Sequence, residues 1–189
     1  LRQGKNVTSI NVDVISSCVI GARVTLVFGH NRDSLLSVAP LLKTGLPEAE
    51  DCENFTPPQI ADFVPQFFHN FDTRLISGAR PMSGAKEGYI HVWSRHKDER
   101  SRATLGGLIT LGDVLPPAAM PMFTTMGAVS SVSWMLNFLT DDPFTHDEWW
   151  RLDSRLVQAQ NGYSSQTMNI WNAGGALVAQ GQQSVALFT

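Results

Sequence analysis

Residues 174–188 read GGALVAQGQQSVALF, and how this run is folded decides the rest of the chain. Apolar and polar residues alternate along it, which marks a strand, and the NAGG at 172–175 just before it is a turn signal between two β runs. Alternation places Leu177, Ala179, Gln183, Val185 and Leu187 on one side and Gln180, Gln182 and Ser184 on the other. Gln183 is then the odd amide on the drier side. An unpaired buried amide costs on the order of 1–3 kcal/mol, so this group needs a partner, which is backbone, water or a ligand carbonyl. Two readings stand side by side: an amide satisfied by neighbouring backbone, and a residue of a pocket.

Working back from that strand, YSSQTMNIW (163–171), EWWRLDSRLVQA (148–159) and SSVSWMLNFLT (130–140) read as further strands. Before them RATLGGLITLGDVL (102–115) carries apolar residues at helical spacing until Pro116 and Pro117 stop it. QFFHNFDTRL (66–75) and EGYIHVWSRH (87–96) read as two strands joined through the Gly- and Pro-rich segment 77–88. One helix therefore follows two strands and precedes several antiparallel ones, an α+β arrangement in which the helix packs on a curved sheet. Residues 64–189 form this unit. Residues 37–63, with prolines at 40, 47, 57 and 58 and the acidic EAED, read as a connection. Residues 1–36 hold two β runs, VTSINVDVI and VIGARVTLVF, separated at Ser16 and Ser17, and the opening LRQGKNVTSI reads as the entry to a strand with something upstream of it.

Composition narrows the function. The chain of 189 residues is 43% hydrophobic and only 16% charged, below the ~25% of ordinary soluble domains, which points to surface covered by a partner and so to a homo-oligomer. A net charge of −3 without clustered Lys and Arg argues against nucleic acid as a partner. No apolar run reaches the ~18 residues of a membrane helix, and no signal core opens the sequence, so a cytoplasmic protein with no membrane partner is expected. Cys18 and Cys52 have no metal-ligand spacing, and adjacent residues such as His146, Asp147 and Glu148 point in different directions, so no metal is expected. There is no G-x-S-x-G turn for a nucleophilic serine.

The words EGYIHVWSRH, GGLITLGDVLPPA, VSSVSWMLNFL, EWWRLDSR and GGALVAQGQQSVALF, in this order, resemble the double hot-dog acyl-CoA thioesterases of the thioesterase II type. The resemblance covers residues 64–189, and residues 1–36 look like the closing hairpin of a first, incomplete hot-dog. It implies a hot-dog fold and hydrolysis of an acyl-CoA thioester by a positioned water, with no cofactor. In that family a carboxylate on the strand after the helix, a hydroxyl on the next strand and a glutamine on the last strand orient the water. Gln183 matches the glutamine, Ser133 falls where the carboxylate would be, and the hydroxyl position falls between Arg155 and Val157. The resemblance thus leaves a second reading open: a non-catalytic acyl-thioester or lipid-binding module that has lost its carboxylate.

Three further expectations concern the site. On the strand at 130–140, alternation sets Val132, Trp134, Leu136 and Phe138 against Ser131, Ser133, Met135 and Asn137, and the second set is the candidate pocket wall. Ser133 can hold a water but is far too weakly basic to be the base. Asp113 stands in an otherwise apolar helix; it faces solvent there, or, if buried beside Gln183, has a raised pKa and acts as the base. Gly106 and Gly107 would let a thioester carbonyl meet the helix N-terminus.

Overall fold

The computed structural model describes residues 2–189, which divide into two units at Ala39/Pro40. The first is a three-stranded antiparallel ribbon, β1 (Arg2–Gln3), β2 (Val7–Ser16) and β3 (Val19–Gly29), in the order β1-β2-β3. Its long strands turn at Ser17 and Cys18, with φ of 50° and 64°, one residue later than the sequence break. Two consecutive positive φ values match the right-handed strand twist, which is why the hairpin closes so tightly. Val14, Ile15, Val24, Leu26 and Phe28 all stay exposed, so the described residues of the ribbon bury no core of their own.

The second unit is a seven-stranded antiparallel sheet. Its strands are β4 (Glu53–Asn54), β5 (Phe71–Gly78), β6 (Tyr89–His96), β7 (Ala128–Phe138), β8 (Trp150–Gln160), β9 (Tyr163–Asn172) and β10 (Leu177–Phe188). They lie in the order β4-β5-β6-β8-β9-β10-β7. β8 turns into β9 at Asn161 and Gly162, with φ of 54° and 79°, and β9 into β10 through Gly175, with φ of 86°. At the second turn the Asn172 side chain accepts the Ala176 N–H at 2.9 Å.

Between β6 and β7 run a single helical turn, α1 (Glu99–Arg102), and the helix α2 (Leu105–Leu111). The helical pattern from 102 to 115 is thus shortened to 7 residues. Thr104 starts the helix by accepting the Gly107 N–H at 3.0 Å, and beyond Gly112 the chain leaves the helix toward Pro116 and Pro117. Leu108, Leu111, Val114 and Leu115 form the core with Ile90, Val92, Leu152, Ile170 and Ala179 of the sheet. Burial of each such side chain is worth about 1.5–3 kcal/mol, and this row fixes the helix on the sheet.

Residues 40–63, read from the sequence as a connection, belong to the second unit. Leu42 bridges Ala176, Phe55 enters the core beside Phe68, and Ala49 and Cys52 pack with Trp93 and Trp149. The Arg80 guanidinium clamps β4 through the carbonyls of Phe55 at 3.0 Å and Asn54 at 2.8 Å. The prolines prevent long strands but not burial. Residues 66–70 form a 3-10 turn, so the strand expected from 66 begins at Phe71. Among the described residues no helix is long and apolar enough to cross a membrane.

Candidate active site

β10 presents Gln183 to the helix side of the sheet, where the side chain is 4% exposed. Its neighbours in register are Gln166 on β9 and Trp134 on β7. The amide is fully used: Nε2 donates to Ser131 Oγ at 2.8 Å and to Asp113 Oδ1 at 3.2 Å, and Oε1 accepts from Gln166 Nε2 at 2.8 Å. Gln166 is 0% exposed, and its own Oε1 accepts the Ala118 N–H at 2.6 Å. Of the two readings of Gln183, backbone satisfaction is replaced by a side-chain network.

Ser131 reaches this face because β7 carries a bulge. Pairing with β10 runs Gln183–Trp134 and Ser184–Ser133, then jumps to Val185–Ser131, leaving Val132 as the extra residue. The shift breaks the strict alternation read from the sequence and turns Ser131 inward with Trp134 and Leu136. Ser133, Met135 and Asn137 lie on the opposite, exposed face, so the structure does not bring them to Gln183. Arg155 and Val157 are also remote from it: the Arg155 guanidinium lies 4.2 Å over the Tyr89 ring, and Val157 is 65% exposed.

Asp113 follows the C-terminal end of α2. Its surroundings desolvate the carboxyl and push its pKa above the ordinary carboxylate value, while the hydrogen bond from Gln183 pulls the other way. The carboxyl keeps an exposed edge, as does Ser131. The constellation therefore opens to solvent at the rim of the sheet and is closed from behind by the two glutamines.

Gly106 and Gly107 sit at the other end of α2, about 9 Å along the helix axis from Asp113 at 1.5 Å per residue. The Gly107 N–H is held by Thr104, and its carbonyl is met by His96 Nε2 at 2.9 Å and the Thr110 hydroxyl at 2.8 Å. A Cβ on Gly107 would lie 2.0 Å from the Ser101 carbonyl oxygen, so this glycine allows close packing of α2 on the preceding turn. Gly106 has open space around it. An apolar hollow of about 10 Å³ lies between α2 and the sheet, lined by Leu111, Gly112, Leu115, Leu136, Leu152 and Ile170, with room for about one water.

The other face of the sheet holds a second polar cluster. Asp153 accepts from Asn169 Nδ2 at 2.9 Å and Trp171 Nε1 at 2.6 Å, and the Arg151 guanidinium stacks 4.6 Å from the Trp171 ring. His91 is 1% exposed, and burial pushes its pKa down to about 4. Among the described residues, His91 Nε2 and Arg151 Nε and Nη2 have no hydrogen-bond partner. The run at 146–148 is structural: Asp147 accepts the Trp149 N–H at 3.2 Å, and Glu148 pairs with Arg102. Among the described residues no group of three or more His, Cys, Asp or Glu side chains is arranged to hold a metal ion.

Residues 48–187 match the model of the acyl-CoA thioesterase C-terminal domain, and the chain belongs to this family. All of the chain superposes on 70% of a hot-dog protein of unknown function from Alicyclobacillus acidocaldarius, with a TM-score of 0.80 and 20% identity. It likewise covers 71% of the acyl-CoA thioesterase II TesB2 from Mycobacterium marinum, with a TM-score of 0.71 and 17% identity. A third neighbour, described as a putative thioesterase from Novosphingobium aromaticivorans, gives 0.76 and 18% over 70% of its length. At these identities the likeness establishes the hot-dog fold. No curated protein matches the sequence.

Proposed function

We propose that the protein hydrolyses acyl-CoA thioesters, with Asp113, Ser131 and Gln183 as the catalytic group. The observation that carries this reading is the buried Gln183 amide bridging a carboxylate of raised pKa and a hydroxyl at a solvent-open rim. Both Gln183 hydrogens are used on these partners, which leaves the Ser131 hydroxyl hydrogen and the second Asp113 oxygen free to hold one water. Asp113 takes a proton from that water as its oxygen bonds to the thioester carbon, and the carbonyl electron pair moves to oxygen. Collapse of the tetrahedral intermediate breaks the C–S bond, and the departing thiolate takes the proton from Asp113. The products are the free acid and CoA. A pKa above the ordinary carboxylate value suits this base, because basicity rises with it.

The carboxylate thus comes from the helix end rather than from position 133. A second reading, a module that binds acyl thioesters without turnover, is supported by Ser133 standing where the resemblance implies a carboxylate. Incubation with a panel of acyl-CoAs and a thiol reagent separates the two. Release of CoA that disappears in Gln183→Ala supports hydrolysis; saturable binding without CoA release overturns it. We also propose a homo-oligomer, tested by light scattering, and a cytoplasmic location, tested by fractionation and consistent with the free thiols of Cys18 and Cys52.

A further inference from the structure

We infer that Gln166 is a positioning residue, the one that decides which end of the Gln183 amide faces Asp113. This rests on the hydrolytic reading above for its consequence in catalysis, but the orientation follows from hydrogen-bond chemistry alone. A primary amide offers a donor end and an acceptor end of nearly equal shape, so something must choose between them. The choice begins at the Ala118 N–H, a backbone group that can only donate.

Ala118 is 0% exposed and lies just past Pro116 and Pro117 on the segment leaving α2. Facing it at 2.6 Å, Gln166 must present Oε1. Its Nε2 is then turned to Gln183 and can only donate, so Gln183 must present Oε1 in return, at 2.8 Å. That leaves the Gln183 NH2 facing Ser131 and Asp113, at 2.8 Å and 3.2 Å. Reversal of either amide would set oxygen against oxygen or N–H against N–H. With Gln166 and Gln183 at 0% and 4% exposure, water has little room to repair the mismatch. The relay therefore carries a fixed direction from a backbone amide through two side chains to the carboxylate.

Gln166 touches neither substrate nor reacting atoms in the proposed reaction; it acts through Gln183. Gln166→Glu tests this most sharply. A carboxylate still accepts from Ala118, but it offers Gln183 a second acceptor, so the Gln183 NH2 turns away and its oxygen meets Asp113. The expected result is a loss of about 100-fold in kcat, the size associated with misplacing a reacting group, with KM nearly unchanged. Asp113 would lose its donor and gain a like-charged neighbour, so its titration midpoint, read by carbon-13 NMR of the carboxyl, rises. The acid limb of the rate profile moves to higher pH with it.

Gln166→Leu is the second variant. It removes the relay without adding charge and is expected to raise the same midpoint by less. A purely structural role would lower Tm in both variants and leave the Asp113 midpoint where it is. Either folded variant with the wild-type midpoint overturns the inference. A wild-type chain that releases no CoA overturns the hydrolytic reading, and the NMR titration still decides the orientation on its own.

Discussion

Two polar clusters, one on each face of the same sheet, are satisfied in different ways. On the helix side, Gln166 and Gln183 use their side-chain amides in a chain that ends on Asp113 and Ser131 at an open rim. On the far side, Asp153 is well partnered, but His91 Nε2 and two nitrogens of Arg151 have no partner among the described residues, and burial is what shifts His91. A satisfied network of neutral amides leaves a carboxylate poised and reachable. A cluster of buried charge anchors side chains by stacking and carries a pH-dependent penalty instead.

Substitutions can break this contrast. Asp113→Asn is expected to have the largest effect, a fall in acyl-CoA hydrolysis of about 10³-fold with no loss of Tm, because it removes a base and a desolvated charge together. Free CoA release and a thermal melt check both halves. Gln183→Ala should lower hydrolysis by about 100-fold and also destabilise by about 1–3 kcal/mol, since Gln166 loses its acceptor; denaturant titration reads the second quantity. Ser131→Ala is expected to reduce kcat about 10-fold, with Ser133→Ala at the wild-type rate, a difference that steady-state kinetics resolve.

The far face yields the smallest effect on rate and a distinct effect on stability. His91 binds its proton near pH 6.5 in the unfolded chain and near pH 4 in the folded one, so the unfolded state holds more protons between these values. Stability from this group is present above pH 6.5 and is lost as the pH falls toward 4. His91→Asn should flatten that part of the stability profile while leaving CoA release unchanged, as measured by urea unfolding across the range.

Much of this architecture was legible in the sequence because it depends on local patterns. The strands around Ile90 and Leu152 show their alternation, Asn172–Gly175 marks its turn, and the inward side of Gln183 follows from period two. Asn161-Gly162, an equally plain hairpin signal, marks the β8–β9 turn and was available to the same reading. Gln166 could have been found from it: on β9 it alternates with Ser164, Met168 and Ile170, all buried, and register places it beside Gln183.

Other features depend on pairing that no single run contains. Nothing in SSVSWMLNF announces that Val132 is skipped, so counting by twos put Ser131 and Ser133 on one face, whereas only Ser131 meets Gln183. The helical pattern at 102–115 hid that the helix ends at Leu111, two residues before Asp113. Prolines in 40–63 signalled an irregular path correctly, but an irregular path can still fill a core, as Phe55 does.

The skipped residue at Val132 makes the hydroxyl beside Gln183 a matter of chain length as well as of side-chain type. Deleting that single residue would restore regular pairing with Ser131 still opposite Val185, two places before Trp134 rather than three. A strand without the extra residue thus has to carry its hydroxyl at a different count from that tryptophan to meet Gln183.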